Sequence, residues 1–383
     1  RSVSDPMGTR EVQWLVVRAD LASGDVETNL LPLMLIPEEA AANLLDPGPG
    51  TFLARATGEQ QGVLCDALAV PACGGELVRA ILGGLHVPLA DGELAAVKLR
   101  GLDELNLGDA PLVPTLLLRS ERFNTTLIFD EKLTLKTFRC VDSEVNPDYE
   151  MRSYLTDRQQ SLIVAPVLGY LEYRRTHGAP VTVAVLNRYI PNQGTAWQLA
   201  LNHLSQYYER VAAQLHRRDV DASNPNAVDP TLDGESVLDG LTAVFDGHAE
   251  SLGVSTATMH RTLASDKRTH DFPPEPFGRL YQRSLYQSMR NLTHQVFTRL
   301  KHQLPTLSES TRASAEKLLT LRDALLKRFQ VVAERSFTGQ RIRIHGDYEL
   351  DQILYTGSGF VVYDFEGDAD DTSGDRRVKR APL

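Results

Sequence analysis

The sequence predicts an α+β fold in three parts: an N-terminal α/β cap over about residues 1–95, an intermediate sheet unit over 96–190, and a largely helical region over 191–383. Three observations carry this. Two paired runs of strand-type residues flank one helical stretch between 127 and 189. Apolar residues then recur every three or four positions from about 201 to 329, the pattern of amphipathic helices. After 341 the chain returns to short alternating strands.

In the cap, Val12, Trp14 and Val16 alternate with other residues, and Ser23-Gly24-Asp25 turns the chain into a returning strand, Val26 to Ile36. Asp46-Pro47-Gly48-Pro49-Gly50 reads as a loop and Leu64 to Leu82 as partly helical. The intermediate unit holds two hairpins. In the first, Leu127-Ile128-Phe129 returns through Asp130-Glu131 to Leu133–Phe138; the second pairs Leu168–Tyr173 with Val181–Tyr189. Between them Pro147 opens a helix over about 148–164, with acids in its first turn, where the helix dipole favours them. Leu201, Leu204, Tyr208, Val211 and Leu215 form one helical stripe, Leu285, Leu292, Val296 and Leu300 a second, and Leu318, Leu321, Leu325 and Phe329 a third. Their simplest role is core packing. A polar stretch, Asp219–Ser236, reads as a loop between helices.

Composition narrows the function classes. Of 383 residues, 42% are hydrophobic and 23% charged, as in ordinary globular proteins, and the formal charge is −10. Net acidity argues against non-specific nucleic-acid or anionic-membrane binding. No run of eighteen apolar residues exists to span a bilayer. Three cysteines without a CxxC give no disulfide framework or zinc site, so a reducing, cytoplasmic setting is expected. The first residues lack an initiator Met and a signal core, so the chain reads as a piece of a longer one.

The densest polar chemistry lies in His345-Gly346-Asp347-Tyr348-Glu349-Leu350-Asp351-Gln352. The carboxylate of Asp347 is followed five positions later by the amide of Gln352, and twelve residues beyond that comes Asp364-Phe365-Glu366-Gly367. This order resembles the catalytic and metal-binding loops of protein-kinase-like phosphotransferases, in particular the small-molecule branch with aminoglycoside and choline kinases. Phosphoryl transfer needs hard oxygen ligands for magnesium and one free carboxylate facing the acceptor hydroxyl. Asp347 is the candidate base, Gln352 and Asp364 the candidate magnesium ligands, and Glu366 a second ligand or a brace. Such a site also needs a strand lysine for the nucleotide phosphates and a helix carboxylate to hold it. Lys136, in Leu133–Arg139, and Glu150, in Asn146-Pro147-Asp148-Tyr149-Glu150, meet these requirements. Standing alone, they read more simply as a solvated lysine and a helix-terminal acid; the downstream motifs reverse that balance.

The runs Asn124-Thr125-Thr126, LKTFR, NPDYE, HGDYELDQILYTG, VVYDFEGD and RRVKRAPL resemble the bacterial maltokinases, over the whole chain and most strongly in 120–150 and 341–383. The resemblance implies a bilobal, aminoglycoside-phosphotransferase-like fold and transfer from ATP, with Mg2+, to maltose. The product would be maltose 1-phosphate, a donor for α-glucan and glycogen synthesis, and trehalose synthase would be a fused or associated partner. It also implies phosphate contacts from Asn124, Thr125 and Thr126, which otherwise read as a polar approach to a hairpin. A hinge at Asn187–Gly194 would read adenine through the backbone of Arg188 and Tyr189. The catalytic loop departs at Tyr348-Glu349, where members commonly carry a His, and Asp375 stands where Glu is usual. Further helices after RRVKRAPL are implied as well. Two rival readings stand beside this one: a kinase for an aminoglycoside or amino alcohol, with Glu349 and Asp351 forming an acidic pocket, and a silent kinase-like module docking trehalose synthase.

Overall fold

The computed structural model describes residues 2–4, 11–20, 26–46, 50–57, 61–89, 91–105, 107, 112–119, 124–141, 145–158, 163–222, 234–266, 271–368 and 373–382. The chain divides into two compact units, one of residues 1–262 with 345–377 and one of 263–344 with 378–383.

The first unit holds two antiparallel sheets. β1 (Ser2–Ser4), β2 (Glu11–Asp20), β3 (Val26–Ile36), β4 (Phe52–Ala56) and β5 (Gly62–Asp66) form a five-stranded sheet in the order β1-β2-β3-β5-β4. Pro32 lies opposite Trp14 without ending β3. Helix α1 (Pro71–Gly83) starts on a proline, whose fixed φ suits the first turn. It ends at Gly84, whose φ of 60° places it in the left-handed region that glycine tolerates.

The second sheet comprises β6 (His86–Leu89), β7 (Gly92–Lys98), β8 (Leu116–Arg119), β9 (Asn124–Phe129), β10 (Leu133–Phe138), β11 (Val167–Arg175) and β12 (Val181–Arg188), in the order β6-β7-β11-β12-β10-β9-β8. Both expected hairpins are present, and β6 and β7 join this sheet. The first turns through Asp130 and Glu131, both at positive φ, and Phe129 pairs with Leu133. A single core runs through both sheets and α1, from Ile36, Leu68 and Ile81 to Leu127, Phe129, Leu135 and Phe138. Burying each such side chain stabilises the fold by about 1.5–3 kcal/mol. Arg139, just after β10, makes a 2.6 Å ion pair with Asp66 at the end of β5 and so ties the sheets together.

Helix α2 (Pro147–Arg158) follows. The Asn146 side chain accepts from the Asp148 N–H at 2.8 Å, the bond that an N-cap asparagine makes. Residues 159–162, in the expected last turns of this helix, lie outside the described residues. α3 (Ala196–Ala222) and α4 (Gly234–Leu263) extend into both ends of the expected 219–236 loop, whose middle, 223–233, also lies outside them. The late hairpin pairs Ile353–Tyr355 with Phe360–Val362. It is wedged between two other segments, with Val362 donating to Ile163 and Tyr355 to Gly194.

In the second unit, helices Arg279–Gln303, Glu309–Thr320 and Arg322–Glu334 accompany a ribbon of Glu275–Pro276 with Gln340–Arg341. The expected packing of the helical stripes needs correction. Leu201, Leu204 and Tyr208 on α3 are exposed, as are Leu292, Val296, Leu318 and Leu321, whereas Val211, Leu285, Leu300, Leu325 and Phe329 are half-buried. The buried face of the long helix carries Gln282, Thr293 and Phe297 instead. Gln282 is held there because its amide donates to the Val332 and Arg335 carbonyls. Periodicity marks an apolar face but not the surface that covers it. Among the described residues, no helix is long and apolar enough to cross a membrane.

Candidate active site

Lys136 is the centre of the site. The β9–β10 register sets it opposite Thr126, and the β10–β12 register sets it opposite Val185. Its side chain is buried, and its Nζ lies 2.8 Å from Asp364 Oδ1, 2.6 Å from Glu366 Oε1 and 3.3 Å from Asp148 Oδ2. Lys136 and Asp364 are 228 residues apart in sequence. Burial works against the lysine charge, but Asp148, Asp364 and Glu366 more than offset it and hold the ammonium above the ordinary lysine range.

The helix carboxylate that meets this lysine is Asp148, which corrects the expectation for Glu150. Glu150 Oε2 instead lies 3.2 Å from Arg377. The two acids stand two positions apart on α2, so about 200° of helical rotation separates them. Asp148 is fully buried and gathers three donors: Lys136, the Arg152 guanidinium at 3.2 Å and the backbone N–H of Phe365 at 2.9 Å. Burial alone would raise its pKa; Lys136, Arg152 and the Phe365 N–H hold it well below the carboxylate range. Asp148 therefore latches the Asp364–Gly367 loop to α2. The acid-rich first turn was visible in the sequence, but not which acid faces inward.

The Glu366 carboxylate is occupied by Lys136 and by the Asn124 amide, which donates to Oε1 at 2.8 Å. Burial pushes this carboxyl up, with Lys136 only partly offsetting it. Asn124, Thr126, Lys136, Arg188, Tyr189, Gln352 and Asp364 line one cavity of about 530 Å³, within the size range of small-molecule sites. Thr125 does not join them. Strand residues alternate faces, and its hydroxyl accepts from Arg139 Nε at 2.9 Å on the other side of β9. At the expected hinge, the Arg188 N–H donates to the Pro166 carbonyl and the Tyr189 N–H to the Lys132 carbonyl, so both backbone donors are engaged within the protein.

Asp347 lies on the loop that begins at His345. His345 Nε2 donates to the Tyr363 carbonyl at 3.1 Å, and its Nδ1 accepts from the Asp347 N–H at 3.4 Å. Burial holds the imidazole below the ordinary histidine range, in the neutral form that this pattern requires. Gly346 has φ 95°, and a side chain there would come within 3.0 Å of Gly367 Cα, so the two loops touch through glycine backbone. Burial raises the Asp347 carboxyl, and repulsion from Glu349, Asp368 and Asp364 adds to this; His345 opposes it. A carboxylate so placed is suited to accepting a proton.

The donor set suits magnesium. Gln352 and Asp364, both with hard oxygen donors, line one cavity, and magnesium is commonly held by one or two protein oxygens plus phosphates and water. Among the described residues, no cluster of three or more His, Cys, Asp or Glu is arranged to hold a metal by itself.

These elements build a mixed α/β fold that is similar to that of solved kinase structures. Three solved structures of glucosamine kinase are similar to this chain. One, in complex with glucosamine, ADP and inorganic phosphate, aligns over 99% of this chain and 72% of its own at TM-score 0.53 and 16% identity. A second, in crystal form A, aligns over 99% and 70% at TM-score 0.52 and 17% identity. No family model matches the chain.

Proposed function

We propose that the chain acts as an ATP-dependent, magnesium-using sugar kinase of bilobal architecture, with a cap over 1–95, a sheet lobe over 96–190 and a helical lobe beyond. The observation that supports this reading is the meeting of Lys136 with Asp364 in a cavity that Gln352, Arg188 and Tyr189 also line. Lys136 binds nucleotide phosphate oxygens, and Asp148 keeps it aimed. The acceptor hydroxyl oxygen forms a bond to the γ-phosphorus as the bond to the β–γ bridging oxygen breaks, and the hydroxyl proton passes to Asp347. Gln352 and Asp364 would hold magnesium, which when bound would neutralise charge on the phosphate oxygens. Glu366 braces Asn124 and Lys136.

The sequence resemblance supports maltose as acceptor, giving maltose 1-phosphate, with trehalose synthase as the associated protein and the cytoplasm as the compartment. A second reading takes an amino sugar. Glu349 and Asp368 act on Asp347 as like charges, which suits a cationic acceptor, and the similar solved structures are glucosamine kinases. Incubation with Mg-ATP and either maltose or glucosamine separates the two, with the phosphate ester identified by NMR. Maltose 1-phosphate is expected. Glucosamine phosphate alone selects the second reading, and absence of magnesium-dependent ATP binding in calorimetry removes both.

A further inference from the structure

Three side chains of α3 and α4 have no role in the chemistry above, yet they link these helices to the two segments that carry it. His203 stands on α3, and His248 and Thr256 stand on α4. His203 Nε2 lies 3.0 Å from His248 Nδ1, and His248 Nε2 lies 3.1 Å from the Tyr355 hydroxyl. Tyr355 ends the first strand of the late hairpin, three residues after Gln352. Further along α4, the Thr256 hydroxyl lies 2.7 Å from that of Tyr348, the residue after Asp347. Tyr348 belongs to the stretch at which the sequence departs from the maltokinase pattern. His248 and Thr256 are eight residues apart, about 12 Å along a helix.

Counting protons fixes the direction of each bond. Tyr355 gives its one proton to the Gly357 carbonyl at 3.1 Å, so it accepts from His248 Nε2. His248 Nδ1 is then an acceptor and takes the Nε2 proton of His203. Thr256 gives its proton to the Leu252 carbonyl at 2.8 Å, so Tyr348 donates to it. Apolar contacts seat the same hairpin: Phe360, across from Tyr355, packs edge-on against His248, and Leu252 packs on the Ile353–Phe360 cluster. Apolar contact is non-directional and lets surfaces slide. The hydrogen bonds decide where the hairpin and the Asp347 loop stop.

We propose that α4 is a positioning element that holds the Asp347 loop and the Gln352–Asp364 hairpin at a set separation, with Thr256 and Tyr348 aiming the proton acceptor and the His203–His248–Tyr355 relay aiming the magnesium ligands. This rests on the kinase reading of the cavity. The two ties serve different steps. Slack at Tyr348 leaves the nucleotide site formed but lets Asp347 drift from the acceptor hydroxyl. Slack at Tyr355 spreads the two magnesium ligands and loosens the metal–nucleotide complex before any chemistry.

The test compares kcat, read as ADP release with maltose, glucosamine or water as acceptor, with Mg-ATP affinity from calorimetry. Thr256→Val and Tyr348→Phe should lower kcat about fivefold or more, the worth of one hydrogen bond, with affinity held within about twofold. Thr256→Ser keeps the acceptor oxygen and should restore kcat. His248→Leu and Tyr355→Phe should weaken Mg-ATP about fivefold or more, with kcat at saturating nucleotide held within about twofold. Ties that were merely structural would move both constants together in all four variants, or neither, and either result overturns the proposal. So does Thr256→Ser behaving like Thr256→Val. If Mg-ATP binds without ADP release, calorimetry alone decides: Tyr348→Phe weakening ATP as much as Tyr355→Phe refutes the division of labour. If the unaltered chain neither binds Mg-ATP nor releases ADP, the kinase reading itself has failed.

Discussion

Asp148→Asn is the sharpest test of the site's electrostatics. The native carboxylate is fully buried between Lys136 at 3.3 Å, Arg152 at 3.2 Å and the Phe365 N–H at 2.9 Å. The amide keeps a carbonyl for Phe365 but no charge for the two cations. Removing one partner from a buried ion pair costs about 3–5 kcal/mol. Lys136 retains Asp364 and Glu366, which places the expected loss near the lower end, about 3 kcal/mol. Glu150→Gln provides the control. Its partner Arg377 is 27% exposed and can turn to solvent, so the expected loss is about 1 kcal/mol. Urea unfolding measures stability, and calorimetry measures Mg-ATP affinity. If about 1.4 kcal/mol of the Asp148→Asn loss reaches the phosphate complex, affinity drops tenfold. The reasoning is refuted if Glu150→Gln weakens ATP binding more than Asp148→Asn does.

Asp347→Asn should lower turnover by about 10²–10⁴-fold with Mg-ATP affinity retained; near-native turnover in a product assay removes Asp347 as the base. Thr126→Val should weaken Mg-ATP binding severalfold with little change in stability. Thr125→Val should do the reverse, because it removes the acceptor of Arg139 Nε at a cost of about 1–2 kcal/mol. Gly346→Ala must place a side chain at φ 95° and 3.0 Å from Gly367 Cα; strain of about 1–3 kcal/mol should depress turnover more than nucleotide affinity, read by steady-state kinetics beside calorimetry. His345 is held neutral by burial, so the unfolded state binds more protons near its ordinary pKa of about 6.5. Its share of stability is present above that pH and is lost as pH falls through the lower folded value. Thermal melts from pH 7 to 5 should fall more steeply for the native chain than for His345→Gln, and equal slopes would count against this assignment.

What the sequence made legible follows from local rules. Lys136 is readable because it interrupts an apolar strand, and Gln352 and Asp364 because their oxygen-bearing side chains bracket one short hairpin; the structure sets all three on one cavity. Asp148 against Glu150 is not readable: both acids suit the first turn of α2, and only its rotation against β10 decides between them. Thr125 against Thr126 hangs on hairpin register, fixed by Phe129 pairing with Leu133 across the turn. The exposed stripes on α3 and on the helices after 279 fail for a different reason, since helical period carries no information about what lies alongside.

The late hairpin has a consequence for recognising such sites elsewhere. Gln352 sits just before its first strand and Asp364 two residues after its second, and the Tyr363 N–H donates to the Gln352 carbonyl at 3.0 Å. The ladder therefore works as a caliper: each of the two proposed ligands is gauged from a rung, not from the length of chain looping between them. Residues added at the tip, around Ser358, would leave the jaws where they are, whereas a one-residue slip in either strand would throw a ligand to the opposite face. Distant relatives are better sought by strand-relative offsets than by a fixed interval between amide and carboxylate.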